Sequence, residues 1–135
     1  MPHDKLVVYF GKTDGSYALI TKSQNYQYGV TDLKIKKGSL FLLVFHTTIN
    51  ESNILNYQFK YLASGFALIG TEETRYIPDN GNDFRCSLNH LTGKKIETDY
   101  INGETKVTES FLRREEKIKL EEFSAQFGCI SYGNN

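Results

Sequence analysis

The segment Leu40 to Phe45 (LFLLVF) is apolar at six consecutive positions. A run of that length, bounded by polar residues, predicts a strand buried on both faces. Leu40, Leu42 and Val44 fall on one side and Phe41, Leu43 and Phe45 on the other. One face is expected to meet an opposing sheet. The other is expected to be covered from within the chain, by the 49–64 segment or the tail, with a second subunit or a ligand as the alternatives. Immediately before it, YGVTDLKI (28–35) ends at KKGS, and a tight Lys37-Gly38 connection predicts a hairpin. Upstream, KLVVYF (5–10) and YALIT (17–21) flank the turn-forming GKTDGS and read as a first hairpin.

Two segments carry conflicting periodicities. In LNYQFKYL, Leu55, Tyr57, Phe59 and Tyr61 alternate with Asn56, Gln58 and Lys60, the pattern of a half-buried strand. Thr48-Ile49-Asn50-Glu51 also fits a helical capping box, and Gly65 fits a helix C-cap. The strand is preferred, because Tyr and Phe suit pleated surfaces and asparagine weakens helices. The tail presents the same choice: Phe123, Ala125, Phe127 and Cys129 alternate, whereas Leu120, Phe123 and Phe127 would share a helical face. Further strands are expected over FALIG (66–70), Arg75–Ile77, and 83–91, with a break at IPDNGND. Lys95–Ile101 and Glu104–Ser110 flank Asn102-Gly103, the preferred type I′ pair, so this hairpin is expected at an edge of the sheet. The pattern predicts a mainly β single domain over 1–135, an antiparallel sandwich or barrel of nine or ten short strands. One short helix, over 49–64 or in the 111–127 region, is the alternative within that fold.

With 135 residues and 16 basic against 16 acidic side chains, the chain is large enough for one core and has no net field to steer it towards nucleic acid or anionic lipid. Its longest apolar run is far short of a membrane span. No repeat, low-complexity segment or linker divides it. MPHDKLVVYF does not resemble a secretory signal, which favours the cytoplasm; a removed signal together with a Cys86–Cys129 disulfide would place the protein in the periplasm or outside the cell. Such a bridge would close a loop of more than 40 residues and contribute roughly 4 kcal/mol.

No constellation for catalysis or cofactor binding emerges. His3 follows Pro2, which has no amide proton to give to copper; His46 ends the apolar run as a strand cap; His90 lies four residues from Cys86, too far along a strand for routine co-ligation. Asp79 to Asp83 departs from the EF-hand pattern at Gly81 and Phe84 and reads as a turn. The pairs Glu72-Glu73, Glu115-Glu116 and Glu121-Glu122 read as solvated acids, and Asn50-Glu51-Ser52 is a sequon too common to decide anything. The cysteines lack a CxxC partner, and GxSxG, GxGxxG and phosphate-loop motifs are missing.

What stands out is nine Tyr and nine Phe without a single Trp. Tyrosine joins a large apolar body to a polar tip at low entropic cost, which suits interfaces. Tyr26, Tyr28, Tyr57 and Tyr61 are the candidate partner-binding residues. The expectation is a non-enzymatic binding protein, monomeric or homodimeric, that occupies a protein partner as an inhibitor or immunity-type protein does, with no cofactor or metal. A β-barrel carrier of a small apolar ligand is the alternative. In length, short strands and a polar Asn-Gly hairpin the chain loosely resembles the intracellular lipid-binding barrels, which the resemblance would make a fold with a ligand-filled interior. It departs from them where an early helical lid belongs, having KLVVYF-GKTDGS-YALIT instead, and no family is assigned. An enzyme using His46 or His90 as base is the remaining alternative.

Overall fold

The computed structural model describes residues 32–62, 65–112, 120 and 128–130 with their side chains, and the backbone of 7–11 and 17–22. Nine strands lie among them: β1 (Val7–Gly11), β2 (Tyr17–Lys22), β3 (Asp32–Lys36), β4 (Ser39–Thr47), β5 (Ser52–Leu62), β6 (Gly65–Ile77), β7 (Asn82–Asn89), β8 (Lys94–Ile101) and β9 (Glu104–Phe111). The fold is mainly β, as the alternation predicts. β1 and β2 form a two-stranded antiparallel sheet, and β3 to β9 form a seven-stranded antiparallel sheet in strict chain order.

Two type I′ turns set the outer hairpins. Lys37 and Gly38 have φ of 51° and 77°, and Asn102 and Gly103 have 52° and 80°. Positive φ at both central residues matches the right-handed twist of the flanking strands, which is why these dipeptides join β3 to β4 and β8 to β9 without a longer loop.

The large sheet is open. β3 lies at one end of the strand order and β9 at the other, so the barrel expectation is corrected. The physical reason is visible at the edges: both strands are exposed along nearly their whole length, and β9 turns only polar residues, Glu104, Lys106, Thr108 and Ser110, to the core face, so it offers no apolar surface for β3 to close against. Within the 49–64 segment Ser52–Leu62 is strand, not helix, since β5 pairs with β6 along its full length and with β4 from Ser52 to Lys60. Thr48 does cap amides as the capping box predicts, its Oγ1 accepting from the Asn50 and Glu51 N–H groups at 3.2 and 3.1 Å, but it closes a turn between strands. The helix alternative for 111–127 lies outside the described residues except at 111, 112 and 120.

Register assigns the two faces. Leu42, Tyr57 and Thr71 stand side by side, as do Val44, Leu55, Glu73 and Cys86. These residues share the core face with Leu40, Phe59, Phe66 and Leu68, and Leu120 packs onto the same cluster. A smaller cluster of Cys86, Cys129 and Ile130, flanked by Phe84 and Leu88, continues it. The C-terminal residues 128–130 are therefore part of the cover. Cys86 and Cys129 form a disulfide with Cα atoms 5.8 Å apart, inside the normal range, one of the two thiol states, bridged or reduced and buried, that the sequence leaves open.

Glu73 holds the same cover from below. It is buried, and its Oε1 accepts hydrogen bonds from the Cys129 and Ile130 amides at 2.7 and 2.9 Å, while Oε2 accepts from Asn53 Nδ2 at 2.9 Å. A carboxylate in the core is tolerated because donors converge on it.

Candidate protein-interaction surface

The opposite face of the large sheet is far less covered. Phe41 and Leu43 are half-buried and Phe45 is 44% exposed, so the second side of the LFLLVF strand is only partly sealed. Across the ladder from Phe45 runs a row of Ile54, Thr74, Arg85, Thr98 and Val107, one residue from each successive strand. Shallow adjoining depressions cross this face, the first bounded by Lys34, Lys36, Phe41 and Leu43, the next by Asn56, Gln58, Glu72 and Asn89.

At the end of this face nearest the Asn102-Gly103 turn, three neighbouring strands bring Tyr76, Asp83 and Tyr100 into one row. Tyr76 is 44% and Tyr100 37% exposed. Arg85, one step along β7 on the same face, lays its guanidinium over the Tyr100 ring at 5.5 Å and donates from Nη2 to Asp83 Oδ2 at 3.2 Å. The stacking and the ion pair fix a long side chain that would otherwise sweep through solvent, while more than half of it stays exposed. Asp83 Oδ1 is buried and has no hydrogen-bond donor among the described residues. The cluster thus presents preordered tyrosine and arginine surface, the residue types enriched where interfaces concentrate their energy.

Compared with known proteins, the chain matches no family model, no curated sequence and no solved structure.

The four tyrosines singled out by sequence are placed differently. Tyr57 is 0% exposed, between Leu42 and Thr71 in the middle of the core face, so its candidacy as an exposed recognition residue is corrected. Alternation puts it on the apolar side of β5, where the strand is central and covered. Tyr61 lies on the same face at the strand end, is 43% exposed, and packs edge-on against Phe66 at 5.2 Å. Tyr26 and Tyr28 lie outside the described residues. Tyr76 and Tyr100 carry no local sequence signal, because each sits at the end of a polar strand. Continuing the alternation of Ile96 and Thr98 to Tyr100, with the hairpin register counted from Asn-Gly, would have placed Tyr100 on the uncovered face.

Two of the other sequence candidates have defined neighbours. His90 Nε2 lies 2.7 Å from Thr71 Oγ1. The Asp79–Asp83 segment is a turn closed by Gly81 N–H donating to the Ile77 carbonyl at 2.9 Å and by Asn82 N–H donating to Asn80 Oδ1 at 2.9 Å. Among the described residues no group of three or more His, Cys, Asp or Glu is arranged to hold a metal ion, and no helix is long and apolar enough to cross a membrane.

Proposed function

We propose that the protein is a non-enzymatic binding domain that acts by occupying a protein partner, as an inhibitor or immunity protein does. The observation that carries this reading is the Tyr76–Arg85–Tyr100 cluster on the less covered face, where an exposed guanidinium is held over an exposed ring. Hot-spot residues, among which Arg and Tyr are enriched, cost about 2 kcal/mol or more on truncation, about thirtyfold in affinity. The Cys86–Cys129 bridge supports a working life in an oxidising compartment, outside the cell or in a periplasm. The carrier reading is not taken forward, because the open sheet supplies no enclosed interior of the kind a barrel carrier needs.

A photoreactive phenylalanine analogue in place of Tyr76 tests this in the native host. The cross-linked protein is identified, purified and titrated against wild-type, Arg85→Ala, Tyr100→Ala and Leu91→Ala chains, Leu91 being an exposed residue at the opposite end of the sheet. Arg85→Ala and Tyr100→Ala are each expected to weaken binding at least tenfold, with Leu91→Ala unchanged. Affinities that stay equal across all four chains overturn the reading.

A further inference from the structure

The edge formed by β3 differs from the edge formed by β9. On β9 the residues that share the core face are Glu104, Lys106, Thr108 and Ser110, all polar, and Glu109 on its other side is paired with Lys94 at 3.3 Å. On β3 the residues on the core face are Leu33 and Ile35, opposite the buried Leu42 and Leu40, yet Leu33 is 48% and Ile35 76% exposed. The apolar face is left unfinished at this edge. On the other side of β3 stand Lys34 and Lys36, followed by Lys37 in the turn. Arg75, Arg85, Lys94 and Lys95 each pair with a carboxylate, whereas Lys34, Lys36 and Lys37 pair with none among the described residues.

The main chain is oriented to match. In a two-residue type I′ hairpin the closing pair, here Lys36 and Ser39, exchanges both backbone hydrogen bonds. Counting back along β3, Lys34 and Asp32 also bond inward to β4, which turns the N–H and C=O groups of Leu33 and Ile35 outward. The Leu33 N–H is taken by Asp32 Oδ1 at 2.8 Å. The Ile35 N–H and the carbonyls of Leu33 and Ile35 are left facing away from the sheet.

We propose that the outer edge of β3 accepts a partner strand in which apolar and acidic residues alternate, extending the seven-stranded sheet by one. This inference rests on the binding-domain reading above and names the chemistry of the partner. Apolar side chains of the added strand complete the core face over Leu33 and Ile35, acidic ones meet Lys34 and Lys36 on the other face, and the main chain bonds to Ile35 and to the Leu33 carbonyl. The period of two in the added strand is what allows one segment to satisfy both faces at once. Asp32 sets its register, because the Leu33 N–H that it caps is withdrawn from pairing.

Two fluorescent heptapeptides at low micromolar concentration serve as probes, one alternating glutamate with valine and one alternating lysine with valine. By anisotropy, the glutamate peptide is expected to bind the wild-type chain at least tenfold more tightly than the lysine peptide. The Lys34→Glu/Lys36→Glu chain is expected to reverse that order, and Ile35→Pro, which removes an outward donor at an edge where proline is tolerated, to weaken both peptides tenfold. Amide resonances of Leu33 and Ile35 should be the ones that shift. Equal binding of the two peptides, an unchanged order in the charge-reversed chain, or shifts confined to β9 or to the Tyr76–Tyr100 row overturns the inference. So does sedimentation showing that a second copy of the chain occupies the edge. Failure of the peptides while Arg85→Ala and Tyr100→Ala still weaken the cross-linked partner removes the edge site alone. Peptide binding with silent Arg85 and Tyr100 variants removes the cluster reading instead.

Discussion

Replacing Glu73 by alanine should destabilise the fold by about 3 kcal/mol. The magnitude follows from the donors the carboxylate satisfies: the amides of Cys129 and Ile130 and the side-chain amide of Asn53, with donor–acceptor distances of 2.7 to 2.9 Å. A buried donor stripped of its acceptor costs about 1–3 kcal/mol, and the lower figure applies here because residues 128–130 form the outer layer, where water can reach part of the gap. Glu73→Gln separates hydrogen bonding from loss of the side chain. Its Oε1 can still accept from the two backbone amides, while its Nε2 faces Asn53 donor to donor. Asn53 can resolve that clash by rotating its amide half a turn, because its Oδ1 is buried and has no hydrogen-bond partner among the described residues. The glutamine variant should therefore lose only about 1 kcal/mol, the difference between a charge-assisted and a neutral set of bonds. Urea unfolding followed by far-UV circular dichroism provides the comparison, with an unchanged m-value required before midpoints are converted to energies. Amide exchange at Cys129 and Ile130 should accelerate in the alanine variant and much less in the glutamine variant. An alanine variant within about 1 kcal/mol of wild type, or alanine and glutamine variants of equal stability, would refute the view that Glu73 holds the C-terminal cover.

Three other substitutions probe different parts of the fold. Cys86→Ser/Cys129→Ser opens a bridge of sequence separation 43 and should cost about 4 kcal/mol in thermal or urea unfolding, and part of the Glu73→Ala effect should vanish in that background because both devices hold the same residues. Lys37→Asn should stabilise the protein by about 0.5–1 kcal/mol, since Lys37 sits at φ 51° at the first position of a type I′ turn where asparagine is favoured. Gly93→Ala should be the most damaging glycine substitution among the described turns: φ is +81° and the added Cβ would collide with the Leu112 carbonyl oxygen, a backbone atom that cannot swing aside. A melting temperature within a degree of wild type for Gly93→Ala would show that the β7–β8 turn relaxes more freely than its packing implies.

Much of the fold was legible in the sequence wherever local chemistry and long-range packing agreed. Both dipeptide hairpins could be read directly, since Lys37-Gly38 and Asn102-Gly103 form the turns their residues favour. The perfect alternation of LNYQFKYL outweighed a plausible capping box because a strand with neighbours on both sides buries every second residue. β6 was the least legible. It runs 13 residues from Gly65 to Ile77, yet its middle, GTEET, looks like a loop. Thr71 and Glu73 occupy core positions there only because His90, Asn53 and the amides of residues 129 and 130 are brought to them by distant parts of the chain. No local pattern announces such partners. The candidate site was hidden for a related reason. Tyrosine content pointed to an interface, but only strand register separates Tyr57 in the core from Tyr76 and Tyr100 on the surface.

The strict chain order of the seven-stranded sheet has a consequence for how the protein acquires its structure. Every pairing from β3 to β9 joins consecutive strands, so each can zip from its own turn as the chain emerges during synthesis, without waiting for a remote segment. Closure of the core does not share that locality. The amides of Cys129 and Ile130 reach Glu73 across 56 and 57 residues, and the disulfide spans 43. The order expected from this difference is a sheet that forms first and a closure by residues 128–130 that follows. The interval between the two events is when this chain is most exposed to self-association, and when an oxidising environment has the greatest effect on its yield.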